Sequence, residues 1–244
     1  VTINYVITDE EAKRKMVCVD PNDIPMCAVI DCELMYSMPK GLTAATGMDA
    51  LTHAVEGYLT PGAWTMSDMF ELKAIELIAR HLKNAVDDGS DETARAGMAE
   101  AQYIAGMGFS NVGLGIVHSM AHPLGAFYDT PHGVANALMI CHVLRYNAAE
   151  VPAKMGTFPQ YDHPHTLARY AECARFCGVC GKDDEETLDL FIDKIEELKA
   201  KVGIKKSIAE YGISEETFMS TLDQMVEDAF DDQCTGCLLY TSPS

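Results

Sequence analysis

The sequence predicts a mainly α fold, with an all-helical domain over residues 34–236 preceded by the last strands of a truncated α/β domain at residues 1–33. Three observations predict it. From about Met35 onward, apolar residues recur at helical spacing. Before that point, β-branched and aromatic residues concentrate in short runs. Those runs are too few to make a sheet alone, so the strands read as the trailing edge of a sheet whose earlier part lies upstream.

Val1–Thr8 reads as one strand and Met26–Asp31 as another, behind the turn at Pro21-Asn22-Asp23. Leu72, Ile75, Ile78, Leu82 and Val86 then mark one helical stripe, and Leu188, Phe191, Ile195, Leu198 and Val202 a second. A third runs Phe218, Leu222, Met225 and Ala229, with Ser214 as N-cap before Glu215 and Glu216. Gly89-Ser90-Asp91, Gly181–Asp184 and Gly212-Ile213-Ser214 separate helices. The octapeptide Cys237–Ser244 is expected to be a non-native tail and is left out of the fold.

Composition narrows the function classes. The 244 residues are 48% hydrophobic and 23% charged, ordinary for a globular chain with a sizeable core. Lys and Arg number 18 against 37 Asp and Glu, a formal net charge of −19. Such a surface repels phosphate backbones and anionic head groups, which argues against nucleic acid or a membrane surface as partner. The longest apolar run, near Ala135–Cys141, is too short to span a bilayer. Nine cysteines at this density, with no signal peptide, predict free thiols in a reducing cytoplasm. The acidic blocks Asp183–Glu186 and Glu227–Asp232 read as solvated helix ends, not as sites.

Four residues carry the chemistry. Asp49 and His53 are spaced i, i+4, so a helix puts both on one face, within reach of a single cation. Their neighbours Ala50, Leu51, Ala54 and Val55 are apolar, so the pair needs a partner, and a divalent metal supplies one. His118 and His122 form a second i, i+4 pair. In Thr130-Pro131-His132-Gly133, Thr130 reads as N-cap and Pro131 as the first residue of a helix that carries His132 in its first turn. Three imidazoles and one carboxylate suit Fe(II) or Zn(II), not Ca(II) or Mg(II). Cys173, Cys177 and Cys180 match an iron–sulfur spacing but sit on a helical stripe, and read as ordinary cysteines. His163 and His165 flank Pro164 and read as a surface loop.

At this point the chain resembles a known family. Ala44-Ala45-Thr46-Gly47-Met48-Asp49-Ala50-Leu51-Thr52-His53-Ala54 and the stretches Gly106–Gly115 and His118–Ala126 resemble, in order, the two signatures of the iron-containing (group III) alcohol dehydrogenases. Thr2–Glu11 and Phe127–His132 are most similar to its lactaldehyde-reducing members. The resemblance implies a metal held by Asp49, His53, His118 and His132, the set that the spacing nominates. It implies an N-terminal dinucleotide-binding domain, of which residues 1–33 are the remnant, and a helical domain facing it. It places Asn4, Val6 and Lys15 at NAD, with Leu42 and Thr46 in the same cleft, and Phe109 and Cys234 beside the substrate. His122 then stands outside the metal's ligands as a catalytic proton relay. The implied activity is NAD-dependent hydride transfer between a small alcohol and its aldehyde, such as 1,2-propanediol and lactaldehyde, in a homodimer.

The pattern is incomplete. No Gly-rich phosphate-binding turn is present, and Gly113-Leu114-Gly115 reads as close packing in the helical domain. Roughly 100–150 further residues upstream would be needed for a dinucleotide domain, so the fragment as it stands is expected to be inactive. Two rivals remain: a hydrolase whose metal activates water, and a non-catalytic fragment whose histidines only pack. The hydrolase predicts basic residues beside the ligands, and along the sequence Asp49 and His118 have none.

Overall fold

The computed structural model describes residues 2–149 and 165–235. It opens with an antiparallel hairpin of β1 (Asn4–Asp9) and β2 (Arg14–Val19), in which Asn4 faces Val19 and Asp9 faces Arg14. Eight α-helices follow among the described residues: α1 (Lys40–Leu59), α2 (Thr65–Asp87), α3 (Glu92–Val112), α4 (Ile116–Tyr128), α5 (His132–Ala148), α6 (Thr166–Phe176), α7 (Asp184–Val202) and α8 (Glu215–Asp231). The mainly α expectation holds. His163 and the tail Cys237–Ser244 lie outside the described residues.

The second strand is not where the sequence places it. Met26–Asp31 forms no strand, and Met26 and Val29 are exposed there. The partner of β1 is instead the adjacent Arg14–Val19, because the Asp9 carboxylate accepts the amides of Glu11 and Ala12 and turns the chain back at once. A search for Gly and Pro overlooks a turn built by an Asp side chain.

The helical stripes set the core. Ile75, Ile78 and Leu82 of α2 are wholly buried, between α1 and α3. Each stabilises the fold by about 1.5–3 kcal/mol through the area it removes from water. Phe191, Ile192 and Ile195 of α7 extend this core with Ile140 and Leu144 of α5. The α8 stripe is shallower: only Met225 is buried, and Phe218, Leu222 and Ala229 border an apolar groove of about 440 Å³ against α4 and α5. Asp91, Asp183 and Ser214 cap α3, α7 and α8 by accepting the amides of Ala94, Glu186 and Thr217. The block Asp183–Glu186 is indeed a helix start. At α5 the cap differs from expectation: Pro131, not Thr130, is the N-cap, because its ψ of 133° is still extended and helical geometry begins only at His132.

A carboxyl group is buried in this core without a hydrogen-bond partner. Glu71 of α2 is fully buried, and neither carboxyl oxygen is hydrogen-bonded. It fits where Gly57 of α1 and Gly108 of α3 leave room: a Cβ at either glycine would collide with its carboxyl group. Burial, and then the Asp68 charge, push its pKa up to about 10, so the buried group is a neutral acid. The folded state therefore holds a proton that the unfolded chain releases above the ordinary Glu range, and stability falls as pH rises from there towards 10. Glu71→Gln removes this proton linkage. Its melting temperature relative to the parent should rise between pH 5 and pH 9, whereas parallel pH profiles would show Glu71 to be ionised in the fold.

Candidate metal centre

The middle of α1 and the first turns of α4 and α5 bring the nominated residues together. Asp49 and His53 lie one turn apart on α1, His118 lies in the first turn of α4, and His132 opens α5. One ligand atom from each falls within 4.8 Å of the others. Asp49 Oδ1 is 3.4 Å from His132 Nε2 and 3.7 Å from His118 Nε2, and Asp49 Oδ2 is 3.9 Å from His53 Nδ1. Four atoms about 2.1 Å from one ion stand roughly 3.4 Å apart, so this is the spacing of ligands around a shared cation. His132 reaches Asp49 because Gly133 has no side chain: a Cβ there would strike the Ala45 carbonyl and push α5 off α1.

The electrostatics suit a metal. Burial holds His53 down at about 4 and His132 at about 3, so both imidazoles are neutral and keep a lone pair. Burial would raise Asp49, but His53, His118 and His132 together hold its carboxyl well below the usual carboxylate range. Burial would likewise lower His118, yet Asp49 and Glu56 overcome it and raise the ring to about 9. His53 Nδ1 is buried with no hydrogen-bond partner. An orphaned lone pair beside an ionised carboxylate is the condition that a divalent cation relieves, so the residues fit the implied metal.

Three residues of the site escape the sequence reading. Glu56, one turn beyond His53, accepts hydrogen bonds from the amides of Gly115, Val117 and His118. Its Oε2 also lies 2.6 Å from His118 Nδ1, which turns Nε2 towards Asp49. The signal was the run Asp49, His53, Glu56 on one helix face. Asn136, one turn after His132, places Nδ2 2.6 Å from Asp49 Oδ1 and 3.2 and 3.3 Å from His118 Nε2 and His132 Nε2. That amide is the donor gathered by these acceptors. Asp232 places Oδ2 2.8 Å from His122 Nδ1, with both side chains 5% exposed. Asp232 therefore leaves the solvated block to which the sequence assigns it, because the chain turns inward after α8 ends at Asp231.

The other nominated residues divide. A cavity of about 330 Å³ is walled by His53, His118, His122 and His132, with Phe109 and Cys234 beside them and Asn4 and Val6 of the hairpin closing it. Phe109 stacks on His53 at 4.5 Å, and His122 on His132 at 5.3 Å. Lys15 lies over Gly125 of α4, where burial lowers its pKa and the charges of Asp129 and Asp49 oppose that shift. A basic residue is thus near Asp49 in space although none is near in sequence. Leu42 and Thr46 are exposed on the first turns of α1, outside the cavity wall. Cys173 is buried in the core and Cys180 exposed, and no metal-holding group among the described residues includes either. His165 is an exposed residue at the start of α6.

Comparison with known proteins shows the family. The model of the Fe-containing alcohol dehydrogenase family, C-terminal, matches residues 43–238. Lactaldehyde reductase of Escherichia coli is 49% identical over 238 residues, which is 97% of this chain and 57% of that protein. The chain thus spans little more than half the length of this relative. A crystal structure of 1,3-propanediol oxidoreductase superposes with a TM-score of 0.85 at 38% identity, over 97% of this chain and 58% of that one. Sulfoacetaldehyde reductase from Bifidobacterium kashiwanohense, solved in complex with NAD+, does so with a TM-score of 0.78 at 28% identity, over 97% and 56%.

Glu56→Gln tests how the centre is oriented. With the charge-assisted bond to His118 lost, affinity for Fe(II) or Zn(II) should fall about 10–100-fold while helicity by circular dichroism is kept. Unchanged affinity would mean that Glu56 only caps α4.

Proposed function

The chain belongs to the Fe-containing alcohol dehydrogenase family, and from that premise we propose that it is the metal-binding part of an NAD-dependent alcohol dehydrogenase. Asp49, His53, His118 and His132 would hold Fe(II), or Zn(II), which the same donors accept. The observation that carries this reading is their convergence to metal-ligand spacing beside a cavity that also contains His122, a histidine outside the ligand set. A bound cation lowers the pKa of an alcohol and polarises an aldehyde, while nicotinamide accepts or supplies the hydride.

The chain's own residues do the rest. Phe109 and Cys234 shape the pocket for a small alcohol or aldehyde, with lactaldehyde and 1,2-propanediol the first pair to try, given the similarity to lactaldehyde reductase. Asn4 and Val6 of the hairpin, with Lys15 behind them, form the side proposed to face NAD, and Leu42 and Thr46 extend it along α1. His122 takes up the hydroxyl proton or returns it. The site serves a homodimer in this reading. The hydrolase reading finds no support, since each relative named is a reductase or dehydrogenase by family.

The test extends the chain to the length of its relatives and assays lactaldehyde reduction with NADH. His118→Ala should remove metal and turnover together, and His122→Ala should keep the metal while kcat falls about 10²–10⁴-fold. Turnover that survives the loss of metal would overturn the proposal.

A further inference from the structure

A second group of ligand-type side chains lies beside the cluster and shares none of its residues. His122 of α4, Asp232 and Cys234 each place one ligand atom within 4.8 Å of the others. All three are buried: His122 is 4% and Cys234 6% exposed, and the Asp232 side chain 5%. The turn that follows α8 holds two of them in place. Asp232 Oδ1 accepts the amide of Cys234 at 2.8 Å, its carbonyl accepts that of Thr235 at 3.0 Å, and the Thr235 hydroxyl donates to the Ala229 carbonyl. The turn thus brings a carboxylate and a thiol, two residues apart, to the same imidazole, with Asp232 Oδ2 2.8 Å from His122 Nδ1.

The group also has an entrance. His122 and Asp232 line an outer cavity of about 300 Å³ between β2 and the end of α8, whereas His122 and Cys234 line the cluster cavity. Gln233 borders both. An ion held by three protein ligands between two cavities keeps a fourth position open to water, as open zinc sites do.

The donors select a different metal. The cluster at Asp49 offers three imidazoles and a carboxylate, and no sulfur. Here one donor of three is a thiol, and thiolate favours Zn(II) over Fe(II). The charges fit as well. A carboxylate and a thiolate together cancel the charge of one divalent ion, so a second cation can bind beside a filled cluster without adding net charge.

We propose that His122, Asp232 and Cys234 form a second divalent-metal site, selective for Zn(II) over Fe(II), that binds one ion in addition to the one at Asp49. Bonds form from the ion to an imidazole nitrogen, a carboxylate oxygen and Sγ, and the Sγ–H proton leaves to solvent. The site needs neither cofactor nor turnover, so it does not depend on the dehydrogenase reading.

The test uses this chain with its thiols reduced and its cluster loaded with Fe(II) under anaerobic conditions. Cd(II), whose bond to a thiolate gives an ultraviolet charge-transfer band, is the probe, and Zn(II) its competitor. The parent should develop the band to saturation at about one equivalent of Cd(II), keep its iron, and lose the band to Zn(II) but not to excess Fe(II). Cys234→Ser should abolish the saturable band. His122→Ala should raise its midpoint by at least about 10-fold in Cd(II), since even residues that only support a ligand are worth that much. Asp49→Ala should lose the iron and keep the band, with helicity by circular dichroism preserved in every variant. A band that survives Cys234→Ser, or a midpoint unmoved in His122→Ala, would put the ion at another thiol and overturn the proposal. So would a folded parent with no saturable band, or a band lost together with the iron in Asp49→Ala. A parent that takes up no iron yet shows the band and both its losses would uphold this site and count against the cluster alone.

Discussion

Three imidazoles and a carboxylate share one small space, and the helices around it are arranged to keep them there. Asp49 sits within 4 Å of nitrogen atoms from His53, His118 and His132, all acceptors when neutral. Burial keeps His53 and His132 neutral, while Asp49 and Glu56 hold His118 towards its charged form. The amide of Asn136 donates to three of the acceptors, but an amide offers only two N–H groups and no net charge. Convergence of these donors on one buried point favours a divalent cation there.

Several features of the architecture follow from holding that point. The Gly133 gap lets α5 lie against the Ala45 carbonyl, which brings His132 to Asp49. Glu56 ties the first turn of α4 to α1 through three amides and then fixes the His118 ring. The apolar stripe of α2 packs against α1 and α3, from which His53 and Phe109 face the cavity. The hairpin and the turn after α8 close the same cavity from the outside, through Val6 and Cys234.

Periodicity made the helices legible, because Ile75, Ile78 and Leu82 recur at the spacing of a buried face and are buried. The same rule exposed Asp49 and His53, since an i, i+4 pair in apolar surroundings has few structural uses. Glu56 and Asn136 stand one further turn along the same faces, and extending the spacing by that turn would have found them. Asp232 was not legible in this way: its role depends on a turn that follows α8, and composition alone placed it in an acidic surface block. The hairpin was misplaced for a related reason, because the turn at Asp9 is made by a side chain and carries no Gly or Pro. Contacts that depend on local period could be read; contacts that depend on where a loop turns could not.

The central claim is that Asp49, His53, His118 and His132 form one metal site already assembled in this chain. Anaerobic titration with Fe(II), followed by equilibrium dialysis and metal analysis, tests it on the parent and on Asp49→Ala side by side. The account predicts about one equivalent of iron in the parent and almost none in the variant, with both proteins folded. Equal loading of the two, or none in a folded parent, would contradict it.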